Sequence, residues 1–186
     1  MYTFFKKRLL LTELIETIIL TGIIFFGLHL AIQNYQVEGS SMDPTLKENE
    51  CVITSKLSYS NINNKFLFSS PKSGDIVVFE YPEDRNRHFV KRIIAQPGDT
   101  ISIENGNVYI DGSILMEPYV LNHGYTDYIP YLIKENEYFV LGDNRTASND
   151  SRSWGTIKND HLIGKYIFKY NSPICSVIKY RSTEIQ

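Results

Sequence analysis

The chain is poor in the residues that metal and redox chemistry usually need. Its 186 residues include only two cysteines, Cys51 and Cys175, which form no CxxC, so neither zinc binding nor thiol redox chemistry is indicated. There is no HExxH and no clustered carboxylate pair, which leaves a metal-dependent hydrolase without a ligand set; no cofactor is expected. Basic charge is not in excess either. The net charge is -2, and phosphate backbones bind basic surfaces, so nucleic acid is not an expected partner. There is no internal repeat and no low-complexity tract. With 42% hydrophobic and 22% charged residues the chain should fold, and its length suits one domain plus an anchor.

The N-terminal part is the longest apolar run. From Leu9 to Ile32 there are 24 residues, about 36 Å of helix at roughly 1.5 Å per residue, against a hydrocarbon core of about 30 Å. Glu13 and Glu16 share one helix face near the start of the span, and His29 is the only titratable group from Thr17 to Ile32. No small-x-small cleavage site follows Ile32, which favours a permanent anchor over a cleaved leader. Lys6, Lys7 and Arg8 precede the span, whereas Gln33–Leu46 contains no Lys or Arg. The basic side should stay in the cytoplasm. The expected organisation is a cytoplasmic tail at 1–8, a transmembrane anchor at 9–33 and an extracytoplasmic domain at 34–186. In that compartment a disulfide between the two cysteines becomes possible.

Beyond Asn34 the helical period disappears. Segments rich in Val, Ile, Phe and Tyr, bounded by Gly, Pro, Asn and Asp, predict strands at Cys51–Ser55, Asp75–Tyr81, Phe89–Gln96, Thr100–Ile103, Val108–Ile110, Glu137–Leu141 and Leu162–Tyr170. Asn105-Gly106 marks a hairpin turn. Ser58–Lys72 and Glu117–Tyr131 read as loops or insertions. The domain should be mostly β.

Three segments carry candidate chemistry. VEGSSMDPTL (37–46) places two serines between Gly39 and Pro44. FVKRIIAQPGD (89–99) puts one lysine in an apolar strand. GDNRTASNDSRSWG (142–155) is dense in small polar residues and charges. A serine hydroxyl needs an adjacent base to become a nucleophile. Of the four histidines, His29 is in the span, and His123 and His161 sit in loop-like contexts. His88 is three residues from Lys91, so on one strand the two point to opposite faces. Lys91, with Val90 and Ile93 around it, would be desolvated if it points inward. Burial disfavours the ammonium, and a neutral lysine amine can replace histidine as the base. Taken singly, each element has an ordinary reading as turn serine, snorkelling lysine or solvated loop; only their co-occurrence carries weight.

The order VEGSSMDPTL, GDIVVF, FVKRIIAQPGD and GDNRTASNDSRSWG behind an N-terminal anchor resembles the boxes of type I signal peptidases, in their compact single-anchor bacterial form. The resemblance covers Leu9 to Gly155. It implies an antiparallel β catalytic domain and a membrane-bound serine endopeptidase that removes signal peptides from secreted preproteins, with the bilayer and the secretion translocon as surroundings. By matching position it implies Ser41 as nucleophile and Lys91 as base. Ser148 would hydrogen-bond the lysine, and Asp143, Asp150, Arg92 and Arg152 would brace the site. Gly39 stands where some members carry a serine that helps bind the oxyanion, so backbone N–H groups, chiefly that of Ser41, would have to suffice here. A substrate peptide would pair alongside Gln36–Gly39 and Phe89–Lys91, with Val37, Met42, Leu46, Phe89 and Val90 as candidate pocket residues. Two other readings remain open. One is a membrane-anchored scaffold that keeps the fold without activity. The other is a processing peptidase with one dedicated client. Self-cleaving repressors, which share the Ser-Lys chemistry, are soluble and lack both the anchor and the GDNRTASNDSR box.

Overall fold

The structure is a computed structural model that describes residues 2–62, 65–171 and 183–185. Its first element is a helix, α1, Tyr2–Ala31. Thr12–Ala31 is long and apolar enough to cross a membrane, and none of it is buried inside the protein. The helix also continues back through Lys6, Lys7 and Arg8, which sequence reading assigned to a separate tail. At the other end, Ile32 and Gln33 belong to the first strand and not to the anchor. The carbonyl of Ala31, the last helical residue, accepts the Lys56 N–H at 2.9 Å.

Among the described residues, fourteen strands follow. They are β1 (Ile32–Val37), β2 (Cys51–Ser55), β3 (Asn61–Ile62), β4 (Lys65–Phe66), β5 (Ile76–Tyr81), β6 (Asp84–Ala95), β7 (Thr100–Glu104), β8 (Asn107–Ile110), β9 (Ser113–Ile114), β10 (Tyr128–Leu132), β11 (Glu137–Leu141), β12 (Ile157–Lys158), β13 (Leu162–Tyr170) and β14 (Thr183–Ile185). The large sheet runs β12-β11-β6-β14-β1-β2-β13-β5, and β5 also pairs with β6. Six strands therefore form a closed ring, β6-β14-β1-β2-β13-β5, with β11 and β12 attached beside β6. Pairing is antiparallel except at β14, which runs parallel to both of its neighbours. A smaller sheet, β10-β7-β8-β9, projects from the far end of β6. Asn105 and Gly106, both at positive φ, make the turn between β7 and β8, as the sequence predicts.

Strand alternation sorts the apolar side chains into three cores. The first, within the ring, joins Tyr35, Val37, Met42, Leu46, Val52, Ile76, Val78, Val90 and Ile185. The second joins Phe79, Phe89, Ile93, Tyr138, Val140 and Ile157, among others. The third lies under the small sheet around Ile94, Ile101, Phe139 and Leu141. Both faces of β6 are thus covered, and a polar side chain on its inner half must find partners or lose charge. Cys51 is disulfide-bonded; Cys175 lies outside the described residues.

Two segments expected as loops hold structure. In Ser58–Lys72, Tyr59 is buried and its hydroxyl donates to Asp75 at 2.8 Å. In Glu117–Tyr131, the N-terminal end buries Glu117 and the C-terminal end contributes most of β10.

Candidate active site

The first strand leads directly into the serine turn. Beyond Val37, Gly39 adopts φ +78, a left-handed backbone that glycine accepts without a Cβ clash. The chain then turns through Ser40–Leu46, with the Asp43 N–H donating to the Ser40 carbonyl at 3.1 Å and the Leu46 N–H to the Met42 carbonyl at 2.9 Å. Met42 and Leu46 are fully buried in the first core. They pin the turn from below and leave Ser41 at its surface.

Lys91 reaches Ser41 from β6. Its Nζ donates to Ser41 Oγ at 2.9 Å and to the Val90 carbonyl at 3.0 Å. Lys91 is 1% exposed. Side chains two apart share a strand face, so its neighbours are Phe89 and Ile93. The Val90 side chain points to the opposite core, which corrects the expectation that Val90 desolvates the lysine. Nζ lies 5.1 Å from the Phe89 ring centroid. Burial pulls the Lys91 pKa from 10.5 down to about 8, against the opposing pull of the Asp150 and Asp143 carboxylates. His88 faces the other way, edge-on to Tyr35 at 6.0 Å between ring centroids.

The segment 142–155 braces both residues. The Asn144 N–H donates to the Ser41 carbonyl at 3.0 Å, and its Nδ2 donates to the Ser40 carbonyl at 3.1 Å. A Cβ on Gly142 would stand 2.5 Å from the Ser41 carbonyl oxygen and closer still to the Ser148 hydroxyl, so only glycine fits between these two chains. Asp143 accepts Arg92 Nε at 2.9 Å, Arg92 Nη2 at 2.7 Å and the Thr45 hydroxyl at 2.5 Å. It thereby ties the serine turn to β6. The same guanidinium stacks 3.9 Å from the Tyr119 ring centroid. Asp150 accepts the Gly142 N–H at 3.0 Å and Arg152 Nε and Nη2 at 2.8 and 2.9 Å, and it caps the short helix α2, Ser151–Trp154. Arg152 Nη2 also donates to the Arg145 carbonyl at 2.7 Å. These bonds place Asp143, Arg92, Asp150 and Arg152 around the serine turn and the Gly142 segment.

Two expectations change. Ser148 is at the site, but its hydroxyl is buried without a hydrogen-bond partner, so the implied bond to Lys91 is not formed here. The hydroxyl is instead packed against the Gly142 backbone. Of the candidate pocket residues, only Phe89 lines the open cleft beside Ser41. That cleft holds about 270 Å³ and is walled by Gly39, Ser41, Arg87, Lys91 and Asn149 as well. Val37, Met42, Leu46 and Val90 are buried, in a core that also holds Ile185 of β14. A larger hollow of about 720 Å³ lies where α1 meets the domain, between Phe25, Ile32 and Ile53, and includes neither Ser41 nor Lys91.

Sequence reading missed Asn144, Thr45 and the pair Glu117–Arg145. Arg145 donates to both Glu117 oxygens, with Nη1 at 2.9 Å from Oε2, and through Nε to the Gly142 carbonyl at 3.1 Å. Glu117 and Arg145 lie 28 residues apart in separate polar runs, and no spacing rule links them. Among the described residues no cluster of His, Cys, Asp and Glu could hold a metal ion.

A buried lysine bonded to an exposed-turn serine, with no histidine on that face, is the arrangement of a Ser-Lys hydrolase. Comparison with known proteins agrees with this chemistry. Residues 11–171 match the family model described as signal peptidase, peptidase S26. The chain belongs to the signal peptidase family. Among relatives, it is 35% identical over 165 residues to "Probable signal peptidase I-2" of Synechocystis, covering 85% of this chain and 72% of that protein. It is 33% identical over 180 residues to "Signal peptidase IB" of Staphylococcus aureus, covering 85% of this chain and 90% of that protein. A crystal structure of a signal peptidase I from Enterococcus faecalis is also similar, at 30% identity and TM-score 0.48, covering 52% of this chain and 97% of the other. As a signal peptidase family member the chain is a serine peptidase with an N-terminal helix able to anchor it in a membrane.

Proposed function

We propose that this protein removes signal peptides from secreted preproteins, with Ser41 as nucleophile and Lys91 as general base and acid, at the extracytoplasmic face of the membrane. The observation that supports this most is the 2.9 Å contact between Nζ and Oγ, made by a lysine that is buried. In the neutral form the amine accepts the Ser41 proton as Oγ attacks the scissile carbonyl. The oxyanion faces the turn Gly39–Ser41, where position 39 offers no side-chain donor and backbone N–H groups, chiefly that of Ser41, hold it. The Lys91 ammonium then gives its proton to the leaving amine, and the Lys91 amine so regenerated takes a proton from the water that hydrolyses the ester. Ser148, buried beside the pair, is suited to accept from the ammonium after a rotation of its hydroxyl. The basic start of α1 supports a cytoplasmic N-terminus, and the bilayer and translocon would then deliver the substrate.

The test uses the full chain in detergent with a preprotein and reads new N-termini by mass spectrometry. The wild type should cut once, at the end of the signal peptide. Ser41→Ala and Lys91→Arg should both be inactive, since a guanidinium stays protonated, while Ser40→Ala keeps most activity. Cleavage by Ser41→Ala would overturn the assignment.

A further inference from the structure

The six-stranded ring is closed by three residues that are remote in sequence. β14, Thr183–Ile185, lies between β1 and β6. Tyr35, Gln36 and Val37 pair with Thr183, Glu184 and Ile185, and Ile185 also pairs with His88. The Glu38 N–H donates to the Ile185 carbonyl at 2.8 Å. Without β14, β1 and β6 would face each other across an open slot one strand wide, with main-chain groups exposed on both edges.

Direction and register give this slot its meaning. β14 runs parallel to both β1 and β6. β1 leads into Ser41, and β6 leads into Lys91. A peptide lying in this slot therefore runs toward the catalytic pair. His88 is three residues short of Lys91, so Ile185 sits about 10 Å upstream of the base at roughly 3.3 Å per residue. Its side chain is fully buried on Val37, Met42, Leu46 and Val90. We infer that β14 is a self-seated strand occupying the channel for the substrate peptide, with Ile185 in a side-chain pocket upstream of the scissile bond, and that substrate must displace it. This rests on the signal peptidase reading of the site and adds a layer of control to it. The two-sided pairing is the mode by which extended peptides add to sheet edges, and here the chain supplies its own.

The cleft beside Ser41 agrees with this placement. It remains open for about 270 Å³, whereas the apolar surface further upstream is covered. The segment blocks binding of the substrate and leaves Ser41 and Lys91 in contact. Its removal should change substrate affinity more than the chemical step.

Full-length protein in detergent is compared with a chain ending at Ser182 and with Ile185→Asp. An occupied site raises the apparent substrate constant by the inverse of its free fraction. If β14 is seated about nine-tenths of the time, both variants should lower KM by on the order of tenfold with kcat nearly unchanged. A labelled peptide of sequence STEIQ should bind the shortened Ser41→Ala protein and be displaced by a signal peptide. Unchanged KM in both variants, with no binding of STEIQ, would overturn the inference. So would loss of thermal stability and activity in both, since β14 would then be an ordinary structural strand. Binding of STEIQ that a signal peptide fails to displace would leave β14 in its channel but refute the substrate assignment.

Discussion

A lysine that works as a base must be neutral for part of the time, and a solvated lysine near neutral pH almost never is. Lys91 approaches that condition through burial, which brings its pKa to about 8. Two consequences follow, with definite signs. Only the free amine accepts the Ser41 proton, so kcat/KM should rise about tenfold per pH unit below about 8 and level off above it. His88→Ala should leave this limb in place. A limb that disappeared with His88 would make the histidine the base. The second consequence concerns folding. The folded pKa lies below the unfolded 10.5, so the unfolded chain binds more protons between these values. Stability should increase from about pH 8 to 10.5. Lys91→Met removes a buried charge that is costly at lower pH. Thermal melting should show the methionine variant more stable than wild type at pH 7, with the gap closing toward pH 10.5. A gap independent of pH would contradict the assigned pKa. At this scale Lys91 was legible as a local conflict, a lysine in an apolar strand, whereas Ser41 was told from Ser40 only by the resemblance of its turn to the family's box. Ser148 was less legible, since a hydroxyl can rotate and no pattern fixes the direction of its bond.

At the scale of elements, the segment 142–155 acts as a clamp fastened on several sides. It bonds to the serine turn through Asn144, to β6 through Asp143 and to the 115–123 segment through Arg145. The last link is a pair with Arg145 4% and Glu117 6% exposed. Removing one member of such a pair leaves the other charge buried and unpaired, at a cost of about 3–5 kcal/mol. Glu117→Ala should therefore lower the urea midpoint markedly. Replacing both residues by methionine should recover much of the loss. An unchanged midpoint in Glu117→Ala would show that the pair adds no stability. The strands β2, β11 and β13 appear where apolar composition and turn residues predict them, with the same ends. Others were hidden for physical reasons. β1 follows α1 without a break, so its first two residues, Ile32 and Gln33, read as the end of the apolar span. β10 contains Pro130 and a register shift, which mask its alternation. β14 has three residues, and only its place between two strands makes it a strand.

At the scale of the whole molecule, the proposed placement of the domain outside the cytoplasm rests on the basic cluster Lys6, Lys7 and Arg8 near the start of α1. Protease added to intact, wall-stripped cells should degrade the domain while sparing a cytoplasmic marker. Protection until lysis would reverse the topology.

The helix passes into β1 at Ala31–Ile32 with no linker, and the Lys56 N–H holds that junction. From there to Val37 are six residues, at most about 20 Å at roughly 3.3 Å each, and the serine lies four residues further. In the proposed membrane placement a strut of only a few residues joins the bilayer to the nucleophile, and its length would set how far from the membrane a substrate is cut. The strut would measure where a substrate is cut from how far that substrate's own apolar helix protrudes. Four residues of helix inserted before Ile32 would lengthen the strut by about 6 Å. Preproteins whose cut site stands further from their apolar segment should then become the preferred substrates, and unchanged preference across such a series would show that the strut does no measuring.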